Sequence, residues 1–264
     1  MSPPTANEQI EIAVDDDQVS SSMGAYVARP QAPGTYPGVI VAHELFGVTA
    51  EIRAITDQIA ELGYTAVAPE FYHRTAARGT ELAKDDQGRA AGFEHMRQLA
   101  RDQAVNDVRA TMGYLSSRPD ATGQSAMVGF SLGGHIAYLA ATQLDLAATA
   151  VLYGGWIPTR DIPLSQPEAT ITLTPGIAEH HGRLLFLVGE QDQLIAADQR
   201  RELKDALTAA DVSHELIVYP DTPHAFFWEG TATYRRAARD DAWRRMQDLL
   251  AAELSHQKSS GKGS

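Results

Sequence analysis

The chain has 264 residues, with 34 acidic side chains against 22 basic ones, a formal net charge of −12 and no cysteine. That charge speaks against nucleic acid or an anionic membrane as a partner, and the missing thiols exclude disulfides and cysteine metal sites. No run approaches the roughly 18 apolar residues of a membrane span, and the first residues lack the basic and apolar regions of a secretion signal. The expectation is a cytoplasmic monomer or small homo-oligomer.

In chain order, residues 1–7 read as a flexible start. Ile10, Ile12 and Val14 alternate with polar neighbours, as in a half-exposed edge strand. Asp15-Asp16-Asp17 reads as a turn, and Ala25-Tyr26-Val27-Ala28 as the hairpin partner. Val39-Ile40-Val41-Ala42 is apolar throughout, which suits a strand covered on both faces. Ile52, Ile55, Ile59 and Leu62 recur at helical spacing between Thr49 and Gly63, a capping pair. Residues 73–92 are polar and break the pattern. Val105, Val108, Met112 and Leu115 mark a helix, Ser125 to Val128 a strand, and Gly134 to Leu144 another helix.

A further strand precedes Tyr153. Residues 155–182 hold four prolines and little apolar periodicity, so they and 73–92 are candidates to cover a site. Leu184 to Val188 reads as a buried strand, Leu216 to Tyr219 as another strand, and Tyr234 to Leu254 as a final helix with Trp243, Met246 and Leu250 on one stripe. Strands alternating with helices indicate a mainly parallel twisted sheet with helices on both faces, here preceded by an antiparallel hairpin. One α/β domain over 8–254 is expected, since such folds reach about 250 residues undivided. Ser255 to Ser264 is Ser/Gly/Lys-rich and reads as a disordered tail.

Gly129-Phe130-Ser131-Leu132-Gly133 carries the chemistry. It is G-x-S-x-G between a strand and a helix, the setting in which a tight turn lifts a serine hydroxyl to the top of an α/β-hydrolase sheet. In that fold the chain order is nucleophile, acid, histidine. Asp192 follows the strand at 184–188, and His224 follows the strand at 216–219, each just past a carboxyl end where open α/β sheets bind ligands. Ser131, Asp192 and His224 are therefore the predicted triad. Among rival acids, Glu190 comes early in its loop, Asp198 reads as a helix start and Asp221 as a turn former. His180, His181 and His214 suit solvated positions, His135 suits packing, and His73 and His95 receive no role. Neither H-E-x-x-H nor a Walker or G-x-G-x-x-G motif is present, so no metal or nucleotide cofactor is expected. The amide following the nucleophile, Leu132 N–H, is one expected oxyanion donor.

At this level the chain resembles the dienelactone hydrolases. The segments that carry the likeness are His43-Glu44-Leu45-Phe46-Gly47-Val48, Gly63 to Tyr72, the elbow with Gly134, Gly189-Glu190-Gln191-Asp192 and Pro223-His224-Ala225-Phe226, within a span of roughly 8–252. The resemblance implies an α/β-hydrolase fold, ester or lactone cleavage without a cofactor, a small-molecule substrate and Leu45 N–H as the second oxyanion donor. Two departures follow. The best-known members carry cysteine where Ser131 stands, so the carboxylate matching Glu44 loses its thiolate partner and is expected to hydrogen-bond the hydroxyl or a neighbour. Trp228 stands where dienelactone-cleaving members have an arginine for the substrate carboxylate, leaving Arg74 and Arg78 as candidate anion contacts. A neutral or apolar ester is therefore expected, with Trp228 and Trp156 shaping the pocket. Two other readings stay open: a ligand-binding protein with vestigial turnover, and a cysteine enzyme carrying an engineered serine.

Overall fold

Ile12 and Val14 turn into the core while Glu11, Ala13 and Asp15 face solvent, so the alternation in sequence becomes the two faces of an edge strand. In the computed structural model, which describes residues 4–16 and 19–254, β1 (Thr5–Asp16) and β2 (Val19–Pro30) form an antiparallel hairpin. β3 (Tyr36–Ala42), α1 (Ala50–Glu61), β4 (Thr65–Pro69), α2 (Asp86–Met96), α3 (Arg101–Ser117), β5 (Ala121–Phe130) and α4 (Leu132–Ala141) follow. The chain continues through β6 (Ala148–Leu152), α5 (Pro175–Glu179), β7 (Arg183–Gly189), α6 (Ala197–Ala209), β8 (His214–Tyr219) and α7 (Arg236–Glu253).

Among the described residues eight strands form one sheet in the order β1-β2-β4-β3-β5-β6-β7-β8, with helices on both faces. β2 pairs antiparallel with β1 and with β4; the other pairings, from β4 through β3 to β8, are parallel. The fully apolar runs lie where the sheet is covered twice: Val39 to Ala42, Ala126 to Val128 and Leu184 to Val188 are buried. α1 lies between Thr49 and Gly63, whose φ of +98° is the left-handed turn a glycine tolerates. Among the described residues no helix is long and apolar enough to cross a membrane.

Three expectations need correction. The ordered chain begins earlier than residue 8: Thr5 pairs with Pro30, and Gln31 N–H donates to Pro4 O at 2.9 Å. Asp15 and Asp16 belong to β1 rather than to a turn, and Asp17 lies outside the described residues, as does the 255–264 tail. The polar stretch 73–92 contains the first part of α2, capped by Asp85, whose Oδ1 accepts from Gly88 N–H at 2.8 Å. Hydrophobic periodicity misses this helix because it docks through glycine. A Cβ on Gly92 would stand 2.6 Å from Leu45 Cγ and 2.7 Å from Leu45 O, so the contact is backbone on loop.

Residues 155–182 are also tied down by polar groups. His135 lies within hydrogen-bond distance of Gly155 O at 2.7 Å and Thr170 Oγ1 at 2.9 Å, and the buried Arg101 Nε donates to Leu164 O at 3.0 Å. Ile157, Leu164, Ile171 and Ile177 complete the anchoring as buried side chains.

Candidate active site

Ser131 sits at φ 52° and ψ −112°, a conformation that costs a non-glycine residue about 1–3 kcal/mol and persists only where its surroundings enforce it. The enforcement is visible on both sides. Ser131 N–H donates to Leu152 O at 2.9 Å, and Ser131 O accepts from His135 N–H at 3.1 Å. The flanking glycines let strand and helix close on it. A Cβ on Gly129 would lie 2.0 Å from Gly133 O, and one on Gly133 would lie 2.3 Å from Ala42 O. Leu132 opens α4, where the first amides lack in-helix acceptors and can serve an anion.

Ser131 Oγ lies 2.9 Å from His224 Nε2, and His224 Nδ1 lies 2.8 Å from Asp192 Oδ2. Asp192 is buried, and its second oxygen accepts from Leu194 N–H at 2.9 Å, so both carboxylate oxygens are fixed. The His224 side chain remains 22% exposed, open enough to exchange a proton with solvent or substrate. The three side chains thus form one hydrogen-bonded chain at the carboxyl ends of β5, β7 and β8. Such a chain can draw the proton from a hydroxyl as it attacks a carbonyl. The rivals are engaged elsewhere. Glu190 accepts from Asp221 N–H, Asp198 accepts from Gln199 N–H in the first turn of α6, and Asp221 sits in a turn at φ 49°.

The opposite wall begins with His43 and Glu44 just past β3. His43 is buried, which pushes its pKa down to about 4 and leaves the ring neutral. Its Nδ1 lies 2.7 Å from Glu44 O and its Nε2 accepts from Phe71 N–H at 3.3 Å, so the neutral ring ties β3's exit to the segment after β4. Glu44 is also buried, and burial pushes its carboxyl pKa up. Lys84 above all, then the Trp228 N–H and His224, pull in the other direction. Trp228 Nε1 donates to Glu44 Oε2 at 2.8 Å, and Lys84 Nζ lies 3.3 Å from Oε1. Glu44 therefore bonds neighbours, one of the two outcomes the sequence left open.

A cavity of about 280 Å³ lies between the two walls, bounded among others by Glu44, Leu45, Phe46, Phe93, Ser131, Trp156 and His224. Leu132 and Leu45 both line it, which brings the two expected oxyanion donors to one space. Trp156 lines it too, from a strained φ of +60°, with its carbonyl held by Ser165 Oγ at 2.9 Å. Trp228 does not line it. It packs behind the wall against Phe130 and Phe227, with ring centroids 4.8 and 5.2 Å away, and meets the cavity lining at Glu44.

Arg74 and Arg78 do not reach the cavity: Arg74 pairs with Asp107 through two bonds at 2.8 and 2.9 Å, and Arg78 pairs with Glu11. Arg89, Phe93 and Leu194, which sequence reasoning gave no role, do line it. Arg89 and Phe93 lie four apart on α2, on one face of the helix, a signal available only once α2 is known to be a helix. Lys84 carries no motif at all.

A mainly parallel sheet with helices on both faces, an elbow serine and a cavity at the strand ends define the α/β-hydrolase class, and the likeness to known proteins makes this member a carboxylic ester hydrolase. The dienelactone hydrolase family model matches residues 23–254, and the chain belongs to that family. A protein of Synechocystis sp. named "Putative carboxymethylenebutenolidase" is 34% identical over 233 residues, covering 88% of this chain and 92% of its own. The "Carboxymethylenebutenolidase" of Pseudomonas putida is 27% identical over 231 residues, covering 87% and 91%. The crystal structure of a "Putative Dienelactone Hydrolase" from Klebsiella pneumoniae superposes with a TM-score of 0.80 at 28% identity, covering 93% of this chain and 99% of the other.

Proposed function

We propose that the protein is a serine hydrolase that cleaves small carboxylic esters or lactones through an acyl-enzyme on Ser131, and that residues 5–254 act as one hydrolase domain. The observation that carries this reading is the hydrogen-bonded chain Ser131–His224–Asp192 opening onto the cavity. Ser131 Oγ attacks the substrate carbonyl while His224 Nε2 takes its proton. Asp192 holds the other ring nitrogen and stabilises the imidazolium. The amides of Leu132 and Leu45 receive the oxyanion, each such donor being worth roughly 3 kcal/mol. His224 then passes its proton to the leaving alkoxide, and water, deprotonated by the same ring, releases the acid.

The lining favours a neutral or apolar ester. Leu45, Phe46, Phe93, Leu132, Trp156 and Leu194 supply most of it. Glu44 is already matched by Lys84, and Arg89 is paired with Asp86. The test is hydrolysis of a panel of short neutral esters, lactones and dienelactone by this protein and by Ser131→Ala. Turnover of neutral esters, lost in Ser131→Ala and weaker on dienelactone, is the expected result. Activity that survives Ser131→Ala overturns the mechanism, and a clear preference for dienelactone overturns the substrate class.

A further inference from the structure

Lys84 belongs to the strap of residues 73–85 that runs from β4 toward α2, and it reaches the candidate site from outside the sheet. Its Nζ lies 3.3 Å from Glu44 Oε1 and 3.0 Å from Glu51 Oε1, and 5.5 Å from the centroid of the Trp228 ring. The strap is zipped to the turn after β3: Leu82 N–H donates to Phe46 O at 3.0 Å, and Glu81 pairs with Arg53 at the start of α1. Trp228 takes the other oxygen of Glu44, so one cation and one N–H donor occupy the two ends of a buried carboxylate that borders the same cavity as Ser131 and His224.

From this geometry we infer that Lys84 is a positioning residue for ester cleavage. It keeps Glu44 ionised and turned onto Trp228, which leaves the Ser131 hydroxyl to His224 alone. The inference rests on the serine-hydrolase reading above and deepens it.

Proton affinity and donor count set what Glu44 does to its neighbours. A carboxylate only accepts hydrogen bonds, whereas a carboxylic acid also donates one. An acid at Glu44, freed from Lys84, would offer an O–H inside the cavity and compete for the lone pairs that Ser131 and His224 use with each other. Burial already pushes Glu44 toward that acid form, and Lys84 is the largest force opposing it. The other groups facing Glu44 cannot replace it. His43 is neutral, Glu51 is an anion, Tyr72 and Tyr153 are neutral phenols held so by burial, and Trp228 donates without charge. His224 is committed to Ser131 and Asp192, and Arg89 stands at the cavity with Asp86 as its partner.

The experiment follows the rate at which a fluorophosphonate labels Ser131, from about pH 5 to 9, in the parent and in Lys84→Met, Lys84→Gln, Lys84→Arg, Glu44→Gln and the Glu44→Gln/Lys84→Met double variant. Ester kcat/KM is measured alongside, and thermal melts establish that each variant is folded. Lys84 is a partly exposed strap residue, and two neutral replacements guard against one of them failing to fold.

The expected result is an acidic limb displaced upward by about 1 pH unit in both neutral variants, a roughly tenfold slower reaction on that limb, and recovery in Lys84→Arg. On the Glu44→Gln background, Lys84→Met should change the rate by less than about twofold, because the group it acts through is gone. An unmoved acidic limb in the folded neutral variants overturns the inference. So does an equal loss with Glu44 already replaced. A parent Ser131 that no fluorophosphonate labels overturns the serine-hydrolase reading itself, and the inference falls with it; the Lys84 variants are informative only where the parent reacts.

Discussion

The two walls of the cavity are built by different means. Ser131, Asp192 and His224 each stand on the first turn past a parallel strand, and their positions follow from the sheet. Glu44 apart, the facing wall comes from connections, with Arg89 and Phe93 on α2 and Trp156 on the long segment after β6, while Lys84 on the strap backs Glu44. The first wall is fixed by backbone hydrogen bonds of the sheet and elbow. The second is held by a few polar staples, His43 to Phe71, His135 to Gly155 and Thr170, Ser165 to Trp156. The residues that meet in one hydrogen-bonded chain ride on the sheet, and the rest of the lining rides on connections, the parts of a fold that vary most readily on a fixed scaffold.

That contrast can be broken experimentally, most severely at the sheet wall. Ser131→Ala should lower kcat/KM by roughly 10⁶-fold, because nothing else in the cavity replaces the hydroxyl. Asp192→Asn should cost about 10⁴-fold with the fold intact, since the imidazole would be held in the wrong tautomer. Steady-state kinetics on one good ester measures both. A loss below about 100-fold at either position would mean the chemistry does not sit on the strand ends.

The staples should fail in acid. His43 and His135 have pKa values pushed down to about 4 by burial, against about 6.5 when unfolded. Between those values the unfolded chain holds more protons than the folded one, so stability falls as pH is lowered and levels off below the folded value. Going from about pH 7 to 5 should cost roughly 2 kcal/mol per ring, read from urea midpoints. Equal midpoints at the two pH values would show that these rings are not buried neutral.

Smaller effects sharpen the second wall. Trp228→Phe keeps the packing on Phe130 and Phe227 but removes the N–H from a buried carboxylate, and should destabilise by about 1–3 kcal/mol in urea melts. An unchanged midpoint would place the Glu44 contact among those of no consequence. Trp156→Ala should leave short acetyl esters within about threefold and raise kcat/KM for bulkier acyl groups by about tenfold. A uniform loss over all chain lengths would instead make Trp156 a structural prop.

Particular residues show where the sequence was sufficient. The elbow could be read directly because G-x-S-x-G between a strand and a helix has few ways to fold, and Asp192 and His224 because strand ends are marked by apolar runs that stop. Alternation at Ile12 and Val14 marked an edge strand, and continuous runs marked the double-covered ones. α2 was illegible because it docks through Gly88 and Gly92, so no apolar stripe records its buried face. The strand from Thr5 was missed because pairing with Pro30 depends on a partner 25 positions away.

The sequence by itself determined the class of fold, the order of its strands along the chain and the three residues that meet at their ends, since periodicity and turn chemistry are local properties. Only the tertiary structure decided what surrounds them: that Trp228 faces Glu44 rather than the cavity, that Arg89 and not Arg74 or Arg78 borders the cavity, and that Lys84 closes the circuit around a buried carboxyl group. Those contacts join residues far apart in sequence, and no local pattern encodes a partner that arrives from a connection packed by shape alone.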